Sequence, residues 1–226
     1  MLLLALDTAT PTLTVGLVEL TDTGLTQRSL RAQPSARRHA ELLMPAVDAA
    51  CRDAATRLRD LDAVVVGVGP GPYTGLRVGM VTAAALGDAL DLPVHGVCTL
   101  DAIARDAVDA APDGLDGDLL VVSDAKRREV YWATYDAHAR RIGGPDVEPT
   151  TRLVERVAEL DVVAVAGDQA ERFGLPVRGP EFPSPTGLVR VVEPGLRRGV
   201  VPGPLVPLYL RRPDAVEPGP RKRVTA

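Results

Sequence analysis

The stretch Val64-Val65-Val66-Gly67-Val68-Gly69-Pro70-Gly71-Pro72-Tyr73-Thr74-Gly75-Leu76-Arg77-Val78-Gly79-Met80 carries most of the information about the fold. Its β-branched run predicts a buried strand, its glycines and prolines predict a tight turn, and its continuation predicts a helix that ends near Leu90. Backbone N–H groups and the positive end of a helix dipole meet at such a junction, so it could hold an anion. A P-loop would need glycine at 76 and lysine at 77, and a dinucleotide motif would need glycine at 74. Because none of these is present, we expect the loop mainly to shape the turn.

Small residues recur every four positions along the predicted helix, at Gly75, Gly79, Ala83 and Gly87. This spacing places them on one face of the helix. A glycine inside a helix costs up to about 1 kcal/mol relative to alanine, so the stripe needs compensation from packing. We interpret it as a contact face for another helix, either within the chain or in a partner protein.

The composition indicates a globular protein in a reducing compartment. The chain has 226 residues, of which 46% are hydrophobic, 25% are charged and only 3% are aromatic. A formal net charge of −4 argues against a stand-alone nucleic-acid-binding protein, although a local basic patch remains possible. Cys51 and Cys98 form no C-x-x-C pair and are expected to be buried. The N-terminus lacks a basic region and no apolar run approaches the ~20 residues of a membrane span. We therefore expect a cytoplasmic protein with no membrane segment.

The hydrophobic patterns predict two α/β lobes, the second abbreviated. Residues 1–110 are predicted to form the first lobe, in the order β-β-β-α-β-α-β-α. Its strands are predicted at 2–6, 12–18, 25–30, 64–68 and 93–98, and its helices at 36–58, 74–90 and 100–108.

Residues 111–212 are predicted to form the second lobe, which begins like the first with a strand, an acid-bearing turn and a strand. Its strands are predicted at 119–123, 129–135 and 162–166, with a short helix at 153–160 and less regular patterns at 188–192 and 205–210. Proline, glycine and charge without apolar periodicity predict a disordered tail at 213–226.

Each predicted lobe carries a polar turn where a nucleotide-binding protein of this topology would clamp phosphates with glycine amides. The first turn, Asp7-Thr8-Ala9-Thr10, has alanine where glycine would be preferred, and the second, Asp124–Arg128, has no glycine. The candidates for a phosphate or RNA contact are Asp7, Thr8, Lys126, Arg127 and Arg128, and the alternative for the basic run is a solvated turn.

The chain shows no pattern of side chains for catalysis or metal binding. His39, His95 and His138 are isolated in the sequence, and His39 has Leu43 where a helical two-histidine site needs its second ligand. No G-x-S-x-G nucleophile motif occurs. We therefore expect no metal, no intrinsic cofactor and no catalytic residue.

Several motifs, taken together and in order, resemble one family. Residues 69–79 resemble the signature GPGSFTGLRIG of the TsaB family (formerly YeaZ), with Pro72 in place of serine and Tyr73 in place of phenylalanine. Further matches lie at 4–10, 38–43, 124–132 and 209–211. TsaB is the accessory subunit of the bacterial machinery for threonylcarbamoyladenosine (t6A) in tRNA.

The resemblance implies an actin/Hsp70-like (ASKHA) fold and a non-catalytic role. A TsaB-type chain would bind and activate the catalytic subunit TsaD, joined by the ATPase TsaE. The complex transfers threonylcarbamoyl to N6 of adenosine 37 in ANN-decoding tRNAs. The resemblance also implies tRNA contact through the complex, a possible nucleotide at the partner interface, and a homodimer when the partner is absent.

In the family, two helices of the first lobe form the interface with TsaD. The corresponding interface residues here are His39, Glu41, Leu42, Leu43, Val47, Thr74, Gly75, Arg77, Val78, Gly79, Thr82 and Ala83. On this hypothesis Gly79→Leu abolishes partner binding and leaves the chain folded. Two alternatives stay open: a residual ATPase or glycoprotease-like hydrolase, and a direct tRNA-binding module.

Overall fold

The computed structural model describes residues 1–34, 38–111 and 114–211. Two β-sheets form, with helices packed on both faces of the first sheet and on the second. The elements that lie before residue 111 are β1 (Leu2–Asp7), β2 (Thr12–Thr21), β3 (Gly24–Pro34), α1 (His39–Asp53), β4 (Ala63–Gly67), α2 (Tyr73–Leu90), β5 (Val94–Val97) and α3 (Thr99–Asp109). They follow the predicted order β-β-β-α-β-α-β-α.

The first sheet has the strand order β3-β2-β1-β4-β5. Strands β1, β2 and β3 form the expected antiparallel meander, and β4 and β5 run parallel to β1. Because successive side chains of a strand point to opposite faces, Leu4 and Leu6 pack with α1 and α2, while Leu3 and Ala5 face the other side. The apolar run of β1, which ends at Leu6, follows from burial on both faces.

The second sheet repeats the arrangement of the first. Its elements are β6 (Asp118–Asp124), β7 (Glu129–Tyr135), β8 (Arg141–Pro149), α4 (Thr150–Arg156) and β9 (Val162–Ala166), and the strand order is β8-β7-β6-β9. As in the first sheet, the opening strand pairs antiparallel with the next one and parallel with a later one. Strand β8 was not predicted, because Gly143, Gly144 and Pro145 interrupt its hydrophobic pattern.

Helix α5 (Pro185–Arg197) returns the chain to the first sheet. The sequence indicated only a short pattern at 188–192, within the predicted second lobe. In the structure Leu188, Val189 and Leu196 pack against the face of the first sheet that carries Leu3 and Ala5. Residues 185–197 therefore cover the first sheet, although they follow the second sheet in the chain. The predicted division at 110 and 111 stays a prediction.

The last described residues run between the two sheets. We call residues 205–211 the closing segment: they have neither helix nor strand geometry, but Leu208 packs with the apolar clusters of both sheets. The Leu208 N–H donates to the Val68 carbonyl at 2.8 Å. At the far end, Arg211 donates to the Ala125 carbonyl at 2.8 Å and pairs with Glu129 at 3.1 Å. The closing segment thus connects the lobes.

Some predictions fall outside the described residues. The disordered tail predicted at 213–226 lies beyond residue 211, and the predicted start of the first helix lies among residues 35–37. Over the ranges that are described, no helix combines the length and the apolar character that crossing a membrane requires.

Candidate functional site: the interlobe groove and the α1–α2 layer

The glycine-rich loop between β4 and α2 packs tightly on the turn between β1 and β2. A Cβ atom at Gly71 would lie closer than 3.0 Å to the backbone of Ala9, and one at Gly67 would overlap the Asp7 carboxylate. Gly69 has a φ of +94°, which favours glycine. The loop therefore shapes the junction, as the missing phosphate motifs suggested.

The small-residue stripe of α2 faces the interior of this chain. Thr8 Oγ1 donates to the Gly75 carbonyl at 2.8 Å and accepts from the Gly79 N–H at 3.0 Å. A Cβ at Gly79 would lie closer than 3.0 Å to that hydroxyl, and one at Gly87 would meet Val94 at the start of β5. The glycines therefore allow α2 to approach a turn and a strand of this chain, and Gly75 also lies beside His39, the first residue of α1. Contact of the stripe with a partner protein stays a prediction.

Five of the twelve predicted interface residues lie in the hydrophobic interior or against it. They are His39, Leu43, Val47, Gly79 and Ala83. They are buried in this chain, where they face the first sheet and its turns, and their role at a partner interface stays a prediction. The other seven are exposed or half-buried, namely Glu41, Leu42, Thr74, Gly75, Arg77, Val78 and Thr82, and their role stays a prediction.

The same two helices expose apolar side chains that the sequence did not single out. Met44 of α1 is 37% exposed and Val81 of α2 is 66% exposed. Helical spacing could have identified Val81, because this residue follows Arg77 by one turn and so lies on the same outward face of α2. We call the solvent-facing side of α1 and α2 the α1–α2 layer.

Asp7 lies at the end of β1 and is fully buried. Its carboxylate accepts hydrogen bonds from the Thr99 hydroxyl at 2.6 Å and from the Ala9 N–H at 2.9 Å. Burial raises the pKa of Asp7 to about 6, and these hydrogen bonds oppose part of that rise. Thr8 is fully buried as well. Both side chains are hydrogen-bonded within the fold, and their assignment to a phosphate or RNA contact stays a prediction.

The second turn copies the first and presents its basic residues to solvent. Asp124 at the end of β6 accepts from the Lys126 N–H at 2.9 Å, the same two-residue spacing as Asp7 and Ala9. Asp124 Oδ2 also accepts from Lys126 Nζ at 2.6 Å. Lys126, Arg127 and Arg128 have φ values of 64°, 52° and 64°, and all three are exposed.

The carboxylate of Asp168 contacts the second turn. Asp168, which follows β9, accepts from the Asp124 N–H at 3.0 Å. Burial raises the pKa of Asp168 to about 6, and the nearby Asp124 carboxylate adds to the rise. Each lobe therefore holds an aspartate of raised pKa next to its polar turn.

Two adjoining cavities of about 410 and 390 Å³ lie where the turns of the two lobes face each other. Pro72 and Lys126 line both cavities, which therefore lie side by side, and we call the two together the interlobe groove. Thr8, Thr10, Pro11, His39, Ala40, Thr74, Gly75 and Val78 complete the first cavity. Gly71, Tyr73, Ala125, Arg127, Tyr131, Tyr209, Leu210 and Arg211 complete the second.

Two tyrosines and one arginine connect α2 to the closing segment at the second cavity. The ring centroids of Tyr73 and Tyr209 are 4.9 Å apart. The Arg77 guanidinium lies 3.6 Å from the Tyr73 centroid, and its Nε donates to the Tyr209 hydroxyl at 2.7 Å. The contact between Tyr73 and Tyr209 could not be predicted from the sequence, because 135 intervening residues separate them.

The histidines occupy separate places. His39 is buried at the start of α1, His95 lies in β5, and His138 is exposed in the turn after β7. Burial lowers the pKa of His39 and of His95. Within the described ranges, no group of three or more His, Cys, Asp or Glu side chains could hold a metal ion.

Comparison with known proteins decides the family. The sequence model of the TsaD family, tRNA N6-adenosine threonylcarbamoyltransferase, matches residues 32–187. The chain belongs to this family. Among its relatives, an uncharacterized protein of Mycobacterium tuberculosis is 50% identical, over 94% of this chain and 92% of the relative. The tRNA threonylcarbamoyladenosine biosynthesis protein TsaB of Bacillus subtilis is 33% identical, over 60% of this chain and 55% of that protein.

A solved structure supports the same family membership and the fold. YeaZ from Pseudomonas aeruginosa superposes with a TM-score of 0.72 at 28% identity, covering 92% of this chain and 99% of that one. The resemblance to the TsaB/YeaZ family is thereby confirmed. The two-sheet structure of this TsaB/YeaZ member has the predicted actin-like α/β fold.

Proposed function

We propose that this chain is the TsaB-type partner subunit of a tRNA threonylcarbamoyltransferase. It binds and activates a TsaD-type catalytic subunit in the N6-threonylcarbamoylation of adenosine 37 of ANN-decoding tRNAs. Membership of the family and the names of its TsaB and YeaZ relatives support this proposal. A TsaE-type ATPase joins the complex in the cytoplasm, and the lone chain forms a homodimer. A nucleotide could bind at the subunit interface.

The observation that carries the proposal is the exposed apolar surface of the α1–α2 layer. Val81 and Met44 project into solvent there, and half-buried Leu42 and Val78 extend the surface. Both helices are held rigidly by the first sheet, since Leu43, Val47 and Leu76 are essentially inaccessible on their inner faces. Exposed apolar side chains on a rigid support are typical of a surface that binds another protein.

The turns between the lobes support a role without independent catalysis. Asp7 is fully buried and already accepts two hydrogen bonds, so it is not positioned to activate a water molecule. In the second turn, Lys126 is paired with Asp124. Hydrolysis of ATP or of a peptide by the purified chain, abolished by Asp7→Asn, would favour the hydrolase alternative instead.

The test is binding of the catalytic subunit by two matched variants. Val81→Asp places a charge in the α1–α2 layer, whereas Val201→Asp places one on a valine that is 85% exposed elsewhere. We expect Val81→Asp to weaken binding of the TsaD-type subunit by roughly tenfold or more, because a carboxylate must lose its hydration in an apolar interface. Val201→Asp should bind normally.

Binding is measured by calorimetry or co-purification, and activity by t6A formation in a reconstituted reaction. Unfolding midpoints establish that both variants remain folded. Equal binding by Val81→Asp and Val201→Asp would contradict the assignment of the interface. Full t6A formation without this chain would contradict the proposed function itself.

A further inference from the structure

We propose that Tyr73, Arg77 and Tyr209 form a docking site for a carboxylate side chain of the catalytic subunit, and we call these three residues the Arg77 site. The inference rests on the proposed function, because it specifies the chemistry of the partner surface that meets the α1–α2 layer. It also extends the contact surface from α2 onto the closing segment, which contributes Tyr209.

Two tyrosines from distant parts of the chain hold the Arg77 side chain in one orientation. The guanidinium carbon of Arg77 lies 3.6 Å from the centroid of the Tyr73 ring, and its Nε donates to the Tyr209 hydroxyl at 2.7 Å. The two rings contact each other, with their centroids 4.9 Å apart. A long side chain that is ordered before a partner arrives loses less conformational entropy on binding. Arg77 is therefore prepared for binding, although it is exposed to solvent.

The charge of Arg77 has no carboxylate partner among the residues that the structure describes. At the start of the neighbouring helix, by contrast, exposed Arg38 pairs with Glu41 at 3.0 Å. The hydrogen bond from Arg77 to Tyr209 uses Nε alone, so within the described ranges both terminal nitrogens are available. A pair of guanidinium N–H groups matches the two oxygens of a carboxylate. An Asp or Glu side chain of a partner therefore complements Arg77 in both charge and shape.

The surroundings of the Arg77 site favour a protein partner over a phosphate. Val81 follows Arg77 by one turn and is 66% exposed, and half-buried Val78 lies beside it. The next charged residue of α2 is Asp88, about three turns beyond Arg77. Arginine and tyrosine are enriched among the residues that dominate protein–protein binding energies, whereas a phosphate backbone is bound by several cationic groups together. The Arg77 site therefore continues the apolar surface of the α1–α2 layer and fits the same partner.

The experiment measures the Kd between the full-length chain and the TsaD-type catalytic subunit by calorimetry over a series of salt concentrations. Arg77→Gln removes the charge and should raise the Kd roughly tenfold or more, as expected for the loss of hydrogen bonds to a charged group. The Kd of this variant should also depend less on salt, because salt screens the ion pair that the variant lacks. Tyr209→Phe removes only the hydroxyl that orients Arg77, so it should raise the Kd by roughly threefold.

Arg198→Gln is the matched charge control. Arg198 is exposed at the end of α5, which lies on the opposite face of the first sheet from α1 and α2, so its removal should leave the Kd and the salt dependence unchanged. Charge exchange then identifies the carboxylate: exposed Asp and Glu residues of the catalytic subunit are replaced one at a time with Arg and tested against Arg77→Glu. One exchanged pair should regain part of the affinity that each single variant loses. Unfolding midpoints establish that the Arg77 variants remain folded.

The results distinguish this inference from the proposed function. An unchanged Kd in Arg77→Gln, together with the loss expected for Val81→Asp, would overturn the carboxylate site and leave the proposed function standing. Failure of every charge exchange to regain affinity would overturn the site as well, and a wild-type chain that does not bind the catalytic subunit would overturn both proposals.

Two other occupants of the Arg77 site would give different results. Self-association of the isolated chain that Arg77→Gln and Asp88→Asn both abolish, with unchanged binding of the catalytic subunit, would overturn the proposal in favour of a second copy of this chain. A lower tRNA affinity of the assembled complex in Arg77→Gln, again with unchanged binding of the catalytic subunit, would overturn it in favour of a phosphate.

Discussion

Substitution of Gly79 tests whether the small-residue stripe of α2 serves the fold or a partner. Gly79 packs on Thr8, whose hydroxyl donates to the Gly75 carbonyl and accepts from the Gly79 N–H. A Cβ at position 79 would lie closer than 3.0 Å to that hydroxyl. We therefore expect Gly79→Ala to destabilise the chain itself, and Gly79→Leu to do so more severely.

The magnitude follows from three contributions to the free energy of unfolding. Overpacking costs about 1 to 3 kcal/mol, and the two hydrogen bonds of Thr8 contribute about 1 kcal/mol each. Replacing a helical glycine with alanine returns up to about 1 kcal/mol. The net destabilisation expected for Gly79→Ala is therefore about 2 to 4 kcal/mol.

Thermal or denaturant unfolding measures this difference, and two controls sharpen it. Ala84→Leu changes an exposed position of the same helix and should stay within about 0.5 kcal/mol of wild type. In a Thr8→Ala background the further cost of Gly79→Ala should shrink, because the clashing hydroxyl has gone. If Gly79→Leu kept the wild-type unfolding midpoint and lost only partner binding, the inward packing of the stripe would be refuted.

Two further predictions follow from buried titratable groups. Burial raises the pKa of Asp7 from the ordinary 3.8 to about 6 in the folded chain, so its contribution to stability falls as pH rises between these values. At 1.36 kcal/mol per pKa unit, this loss of stability amounts to up to about 3 kcal/mol. Asp7→Asn should abolish it, so the unfolding free energy of the variant should change less between pH 4 and 7 than that of the wild type. Wild-type and variant curves of equal slope would argue against it. Burial raises the pKa of the Cys98 thiol to about 12, so a thiol reagent at pH 8 should label it only after unfolding. Rapid labelling of the native chain would show that the site opens.

The regular elements with strong local patterns could be predicted from the sequence. The strand, turn and helix of residues 63–90 lie where the β-branched run, the glycines and prolines, and the helical continuation indicated. The repeat of strand, acid-bearing turn and strand was also visible, and Asp7 and Asp124 occupy equivalent positions in the two lobes. Patterns of this kind depend on neighbouring residues, so they can be read without tertiary contacts.

Elements with weak local patterns could not be predicted. Strand β8 contains two glycines and a proline and is specified by pairing with β7. Only a short part of helix α5 could be recognised from the sequence pattern. In the structure Ser184 caps this helix by accepting a hydrogen bond from the Gly187 N–H at 2.9 Å, and the apolar side of the helix covers the first sheet. Its place on that sheet depends on contacts with residues more than 180 positions earlier, such as Leu3.

By itself, the sequence determined the lobed α/β fold, the family and the two helices of the α1–α2 layer. Only the tertiary structure decided which side of those helices is free. Spacing places Gly75, Gly79 and Ala83 on one face, but it contains no information about what that face meets. The structure shows that it meets Thr8 and the first sheet, which leaves the side with Val81 exposed to solvent. It also brought Tyr73 to Tyr209, since only folding can join residues so distant in the chain.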